Sequence, residues 1–244
     1  MPGAAQGTVE LTVDDVLLPL LPARARRAGR LVVPHEAHAS AGHVVQAAGV
    51  PLTEVGALTV DGAPVHATER PPAGSALHAG AVVRPQPVPA GGFLLDVHLG
   101  SLARRLRLLG LDAAWSAHAD DADLVVRAAA QDRVLLTADR GLLLRRALPR
   151  GALVRGAGAD EQLADVLDRF RPATAPLTRC TACGAPLRPA AAQEVAAEVP
   201  EGTRRSYGEF SRCTACSRVY WRGAHARRID EVLRRAQRLT GGGG

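Results

Sequence analysis

Residues 93–110 read FLLDVHLGSLARRLRLLG, and what they can form decides most of the fold. FLL is a short run of large apolar side chains without alternation, the pattern of a strand buried on both faces. Asp96 closes it, and a carboxylate at the end of so apolar a strand needs a reason. Leu99, Leu102, Leu106 and Leu109 then recur on one helical face, and Gly110 supplies the stop. The alternation continues downstream. DADLVVRAAAQD (121–132) predicts a second helix with Asp120 or Asp121 at its N-cap, and RVLLTAD (133–139) a second apolar strand. GLLLRRALP, GALVRG and DEQLADVLDRFR predict a short helix, a third strand and a final helix. Strands alternating with helices imply right-handed βα units around a parallel sheet, so residues 93–172 form an α/β domain.

Upstream, residues 8–89 carry strand-like runs, GTVELTV, RLVVPHE, ALTVDGAPV and AVVRPQP, with a helix-like SAGHVVQAAGV between the second and third. Ser40 is the expected N-cap of that helix, and Gly49 with Pro51 its end. Asp61-Gly62 between apolar runs predicts a hairpin turn. Strand–strand–helix–strand–strand over about eighty residues suggests a small α+β domain. RPQPVPAGG (84–92) reads as a semi-stiff connector. Downstream, residues 173–240 hold all four cysteines and the amphipathic HARRIDEVLRRAQRL, ahead of a terminal GGGG.

Hydrophobic residues are 47% of the 244 and charged residues 22%, ordinary values for a globular protein. No apolar run approaches the roughly 18 residues of a membrane span. MPGAAQGTVELTVDD lacks a basic region followed by an apolar one, so the expected location is the cytoplasm. All 30 basic residues are Arg. A GC-rich coding bias accounts for that, but Arg pairs with phosphate bidentately whatever put it there. Residues 1–92 carry 6 Arg against 7 acids, residues 93–172 carry 12 against 11, and residues 173–244 carry 12 against 6. The net charge of +6 therefore sits in the last segment, which argues for an anionic partner there.

Two constellations carry chemistry. Asp96 and Asp139 end neighbouring strands, and Asp120, Asp121 and Asp123 open the helix before the second of them. Ligands of open parallel sheets bind outside the carboxyl ends of the strands. Carboxylates gathered there repel unless a cation lies between them, and hard oxygen ligands select Mg²⁺ or Mn²⁺, the metals of phosphodiester hydrolysis. The plainer alternative is that Asp120 or Asp121 is only a helix cap and Asp139 a loop residue. The second constellation is Cys180-Thr-Ala-Cys183, then twenty-nine residues, then Cys213-Thr-Ala-Cys216. Two such knuckles form a structural Cys₄ zinc site, with no position open for water. Two disulfides are the alternative, and they need an oxidising compartment.

FLLDVHLGSLARRLRLLG, DADLVVRAAAQDRVLLTADRGLL, RCTACGAPL and FSRCTACSRVYWRGAH, in that order, resemble the family named for the C-terminal RNase domain of the Mut-seven exonuclease. The family has a PIN-like nuclease core with an appended zinc ribbon. The resemblance covers residues 93–230, and YWRGAH is its most specific piece. GVPLTEVGALTVDGAPV (49–65) resembles the ubiquitin-like, β-grasp domain that often precedes it.

The resemblance implies metal-dependent RNA cleavage, with RNA as partner. It puts Asp96, Asp121 and Asp139 on the family's acidic positions, and Asp123 where Glu is frequent; Asp120 stands beside them as support. Arg104 and Arg107 fall in its LAR-x-LR helix and, with Arg140, are candidates to hold phosphate. Ala138 stands where the family usually has Arg, and Ala224 where it has Ser before His225. Asp160 or Glu161 is a candidate fourth acid. His98, two residues after Asp96 and on the same face of a strand, is a weaker candidate for a ligand or phosphate contact. The N-terminal domain is expected to recruit a protein partner. A sulfur-carrier role is not expected, because Gly91-Gly92 runs straight into Phe93. The competing reading of the whole is a non-catalytic RNA- or ribosome-binding adaptor that uses the basic ribbon.

Overall fold

The computed structural model of the chain describes residues 6–36, 38–221 and 226–240. The first elements are β1 (Gln6–Val13), α1 (Ala23–Arg26), β2 (Arg30–Glu36), α2 (Ala41–Ala47), β3 (Val55–Val60), β4 (Ala63–Val65) and β5 (Ala76–Ala81). Next come β6 (Phe93–Leu95), α3 (Gly100–Leu108), β7 (Ala113–Trp115), α4 (Asp121–Ala130), β8 (Val134–Thr137), α5 (Arg140–Leu143), β9 (Gly151–Leu153) and α6 (Ala159–Phe170). The last are β10 (Leu187–Ala190), α7 (Glu201–Ser206), β11 (Phe210–Cys213), β12 (Val219–Trp221) and α8 (Ala226–Thr240). They group into two compact units, Met1–Val83 with Asp139–Leu153, and Arg84–Ala138 with Val154–Gly244.

The first unit is built on a five-stranded sheet in the order β2-β1-β5-β3-β4. β1 pairs antiparallel with β2 and parallel with β5, the mixed centre of a ubiquitin-like fold. Val9, Leu11, Leu77 and Ala79 point from the central strands into one core with Val44 and Val45 of α2. As expected, the Ser40 side chain accepts the His43 N–H at 3.3 Å and caps α2. Asp61 and Gly62 make the β3–β4 turn at φ +49° and +81°, the left-handed values a two-residue hairpin needs. The last strand is not AVVRPQP but ALHAGA (76–81). Leu77 and Ala79 alternate inward there, while Pro85 and Pro87 cannot donate to a ladder.

Asp139–Leu153 is held in this unit by two polar contacts of very long sequence separation. Arg140 donates to the Leu20 carbonyl at 2.6 Å, and the Leu153 N–H donates to Glu54 Oε1 at 2.9 Å. Glu54 is 1% exposed.

In the second unit β6 is central, parallel to β7 on one side and β8 on the other. All three residues of β6 are buried, as its unbroken apolar run predicts. Leu102 and Leu106 of α3, flanked by Leu99 and Leu109, bury the predicted stripe. Leu163, Val166 and Leu167 of α6 are buried too, and Phe170 meets the Phe93 ring edge-on at 5.2 Å. β7 was not predicted; Ala-Ala-Trp carries no strand signal, and pairing with β6 makes it one. The Gly91-Gly92 pair is a packing device: a Cβ on Gly91 would lie 2.0 Å from the Gln131 carbonyl oxygen, and Gly92 sits at φ +73°.

The same unit carries an antiparallel sheet, β10-β11-β12. Its core is small, with Val195, Val199 and Phe210 fully buried. The helix predicted at 225–239 is α8; Arg222–His225, and with them most of YWRGAH, and the GGGG end lie outside the described residues.

Candidate functional site

Because β6, β7 and β8 run parallel, their carboxyl ends share one edge. Asp96 lies at that edge, 6% exposed, its N–H on the Leu136 carbonyl at 3.0 Å. Its Oδ2 accepts the hydroxyl of Thr137, fully buried at the end of β8, at 2.7 Å. α4 connects β7 to β8, so its first turn starts from the same edge. Asp121 and Asp123 lie in that turn and are exposed. Asp120 is the cap, accepting the Asp123 N–H at 2.8 Å. Asp139 is exposed in the segment that belongs to the first unit, and it caps α5 by accepting the Gly141 N–H at 2.7 Å. His98 is exposed just after Asp96. Asp160 pairs with Arg105 at 2.9 Å, and Glu161 accepts the Ala157 N–H at 2.8 Å.

The candidate phosphate-binding arginines differ. Arg104 is exposed on α3. Arg140 is also exposed and holds the Leu20 carbonyl. Arg107 is 2% exposed and donates to the carbonyls of Ala113 (2.8 Å), Thr181 (3.3 Å) and Ala182 (2.7 Å). Burial pushes its pKa down, and Cys183 and Cys180 pull it back up. Its fork ties α3 and β7 to the first cysteine knuckle, so it faces protein carbonyls rather than a ligand. Arg107→Leu leaves one buried and two part-buried acceptors without this donor, so we expect a loss of roughly 2 kcal/mol or more in a urea melt. An unchanged midpoint would show that the clamp contributes nothing.

The four cysteine sulfurs lie within 4.8 Å of one another, and among the described residues no other group of three or more His, Cys, Asp or Glu gathers so tightly. Cys183 and Cys213 are 3.4 Å apart, and Cys180 and Cys216 3.7 Å. A disulfide needs about 2.05 Å. Sulfurs at about 2.3 Å from a tetrahedral Zn²⁺ would stand about 3.8 Å apart. Each knuckle aims N–H groups at a sulfur: Cys183 at Cys180, and both Ala215 and Cys216 at Cys213, all at 3.4 Å. Burial works against ionisation of Cys180, yet the Tyr220 hydroxyl at 3.0 Å and the Cys183 N–H bring it down to about 6. Cys213 is lowered by its N–H donors against the same opposition. Cys183 is pushed up to about 12 by burial, with the neighbouring thiols adding to it. This all-sulfur donor set fits Zn²⁺, whose charge would let all four ionise. Tyr220 was not foreseen; its signal was an aromatic four residues past a knuckle in a chain with few aromatics.

No curated protein and no solved structure matches this chain. Residues 9–87 match the Mut7-C ubiquitin family. Residues 91–233, more than half of the chain, match the Mut7-C RNAse domain, over the parallel sheet, the strand-edge carboxylate and both cysteine knuckles. The chain thus belongs to the Mut7-C RNAse domain family and carries that family's ubiquitin-like domain ahead of it.

Proposed function

We propose that this protein hydrolyses RNA phosphodiester bonds with Mg²⁺ or Mn²⁺ held by Asp96 and Asp121, and by Asp139, the third acid that the family resemblance assigns. The observation that carries this reading is Asp96, a carboxylate buried at the carboxyl end of the central parallel strand. The Thr137 hydroxyl fixes one of its oxygens and so orients the other. Asp121 starts from the same edge and brings a second hard ligand. Bound there, Mg²⁺ or Mn²⁺ supplies an activated water and charge to offset the phosphate. Arg104 contacts a neighbouring phosphate, and the zinc ribbon grips the strand.

Within the ribbon, Arg188, Arg205 and Arg212 pair with Glu194, Glu201 and Glu198. Arg218, Arg234 and Arg238 are exposed and have no such pairing among the described residues. They are the proposed backbone contacts. Replacing all three with Gln should reduce the slope of log K against log salt by about 2 for single-stranded RNA. An unchanged slope would place the contacts elsewhere.

The test of the enzyme is cleavage of mixed RNA and single-stranded DNA with and without Mn²⁺, wild type beside Asp96→Asn. Metal-dependent RNA cleavage that the variant loses supports the proposal. RNA binding without cleavage at any metal concentration would instead favour the adaptor reading, for which the exposed ribbon arginines speak.

A further inference from the structure

The geometry points to a second ligand site, on the ubiquitin-like unit, for a phosphate-bearing ligand of nucleotide size. A cavity of about 930 Å³ lies within the first unit, walled by residues of β2 and α2 and by the Asp139–Leu153 segment. That volume falls in the range of small-molecule sites and far exceeds a lone anion.

Two independent observations fix the chemistry. The first is His35, 2% exposed and in the cavity wall, whose Nδ1 has no hydrogen-bond partner. That atom is shut off from solvent, and an unmet buried polar atom is costly, so a shift of the wall that let a ligand group reach it would be favourable. The second is charge. Arg70, Arg145, Arg146 and His43 line the same cavity. Its one acid, Glu36, is paired with His38 at 2.9 Å. The lining is thus cationic, with planar guanidinium forks suited to a phosphate's terminal oxygens. Leu52, Leu143 and Leu148 supply an apolar wall for a base or sugar.

Such a phosphate can belong to a free mononucleotide or to the 5′ end of an RNA strand. The site needs neither the metal nor cleavage, so it stands apart from the nuclease proposal. The full chain, without added Mg²⁺ or Mn²⁺, is titrated calorimetrically with AMP and adenosine, and with a short RNA bearing a 5′-phosphate or a 5′-hydroxyl. We expect the phosphorylated member of one pair to bind at least about tenfold tighter. Preference for AMP over adenosine identifies the mononucleotide; preference confined to the RNA pair identifies the strand end. Arg70→Gln with Arg146→Gln, both exposed positions, should abolish the preference at an unchanged melting temperature. In the wild type, His35 ring resonances should shift on saturation. No phosphate preference in either pair, a preference that survives the double substitution, or a stationary His35 signal would each overturn the site.

Discussion

Cys213→Ser should leave residues 173–221 open to protease while residues 93–137 stay protected, and the unsubstituted protein should carry about one zinc per chain. Cys213 is 2% exposed in β11, takes two N–H···S bonds, and lies 3.4 Å from Cys183. Among the described residues the ribbon's fully buried apolar cluster is Val195, Val199 and Phe210, too little to offset the entropy of some fifty ordered residues. Zinc would supply the difference, on the order of 10 kcal/mol. The damage should also reach α3, because Arg107 takes two of its three acceptors from the first knuckle. Faster amide exchange in α3, read by hydrogen exchange while the helix stays uncut by protease, is therefore part of the expected result. Acid should mimic the substitution. Protons compete with zinc for the four thiolates, so the metal and the protection it gives should be lost together as pH falls. Zinc-free protein with two disulfides would refute the centre.

The second large effect is expected at Asp139, where stability and catalysis separate. Asp139 caps α5 through the Gly141 N–H. Asn caps as well as Asp, so Asp139→Asn should keep the cap and most of the stability. If the carboxylate holds the cation, cleavage in Mn²⁺ should fall at least about a hundredfold, because removing a charged ligand weakens both water activation and phosphate binding. Asp139→Ala should lose the same activity and about 1 kcal/mol with it. A full rate in Asp139→Asn, with only Asp139→Ala destabilised, would reduce the residue to a helix cap and sink its place in the nuclease.

How far could the chain alone be read? The buried β6, the leucine stripe of α3, the capped α2, the Asp61-Gly62 hairpin and the paired cysteine knuckles were all legible, because each depends on periodicity or on residues within a few positions of one another. The knuckles were clearest, since CxxC spacing is itself the ligand geometry. The tertiary structure decided what long-range contact decides. It made a strand of Ala113–Trp115, and it placed Asp139–Leu153 in the ubiquitin-like unit through Glu54 and Leu20. It turned Arg107 from a candidate phosphate ligand into a buried clamp, and made Asp120 the cap beside Asp121. The physical reason is the same throughout. An arginine or aspartate offers the same charge and donors wherever it stands, and only burial and the partners that folding brings to it decide whether it faces carbonyls, a helix end or a ligand.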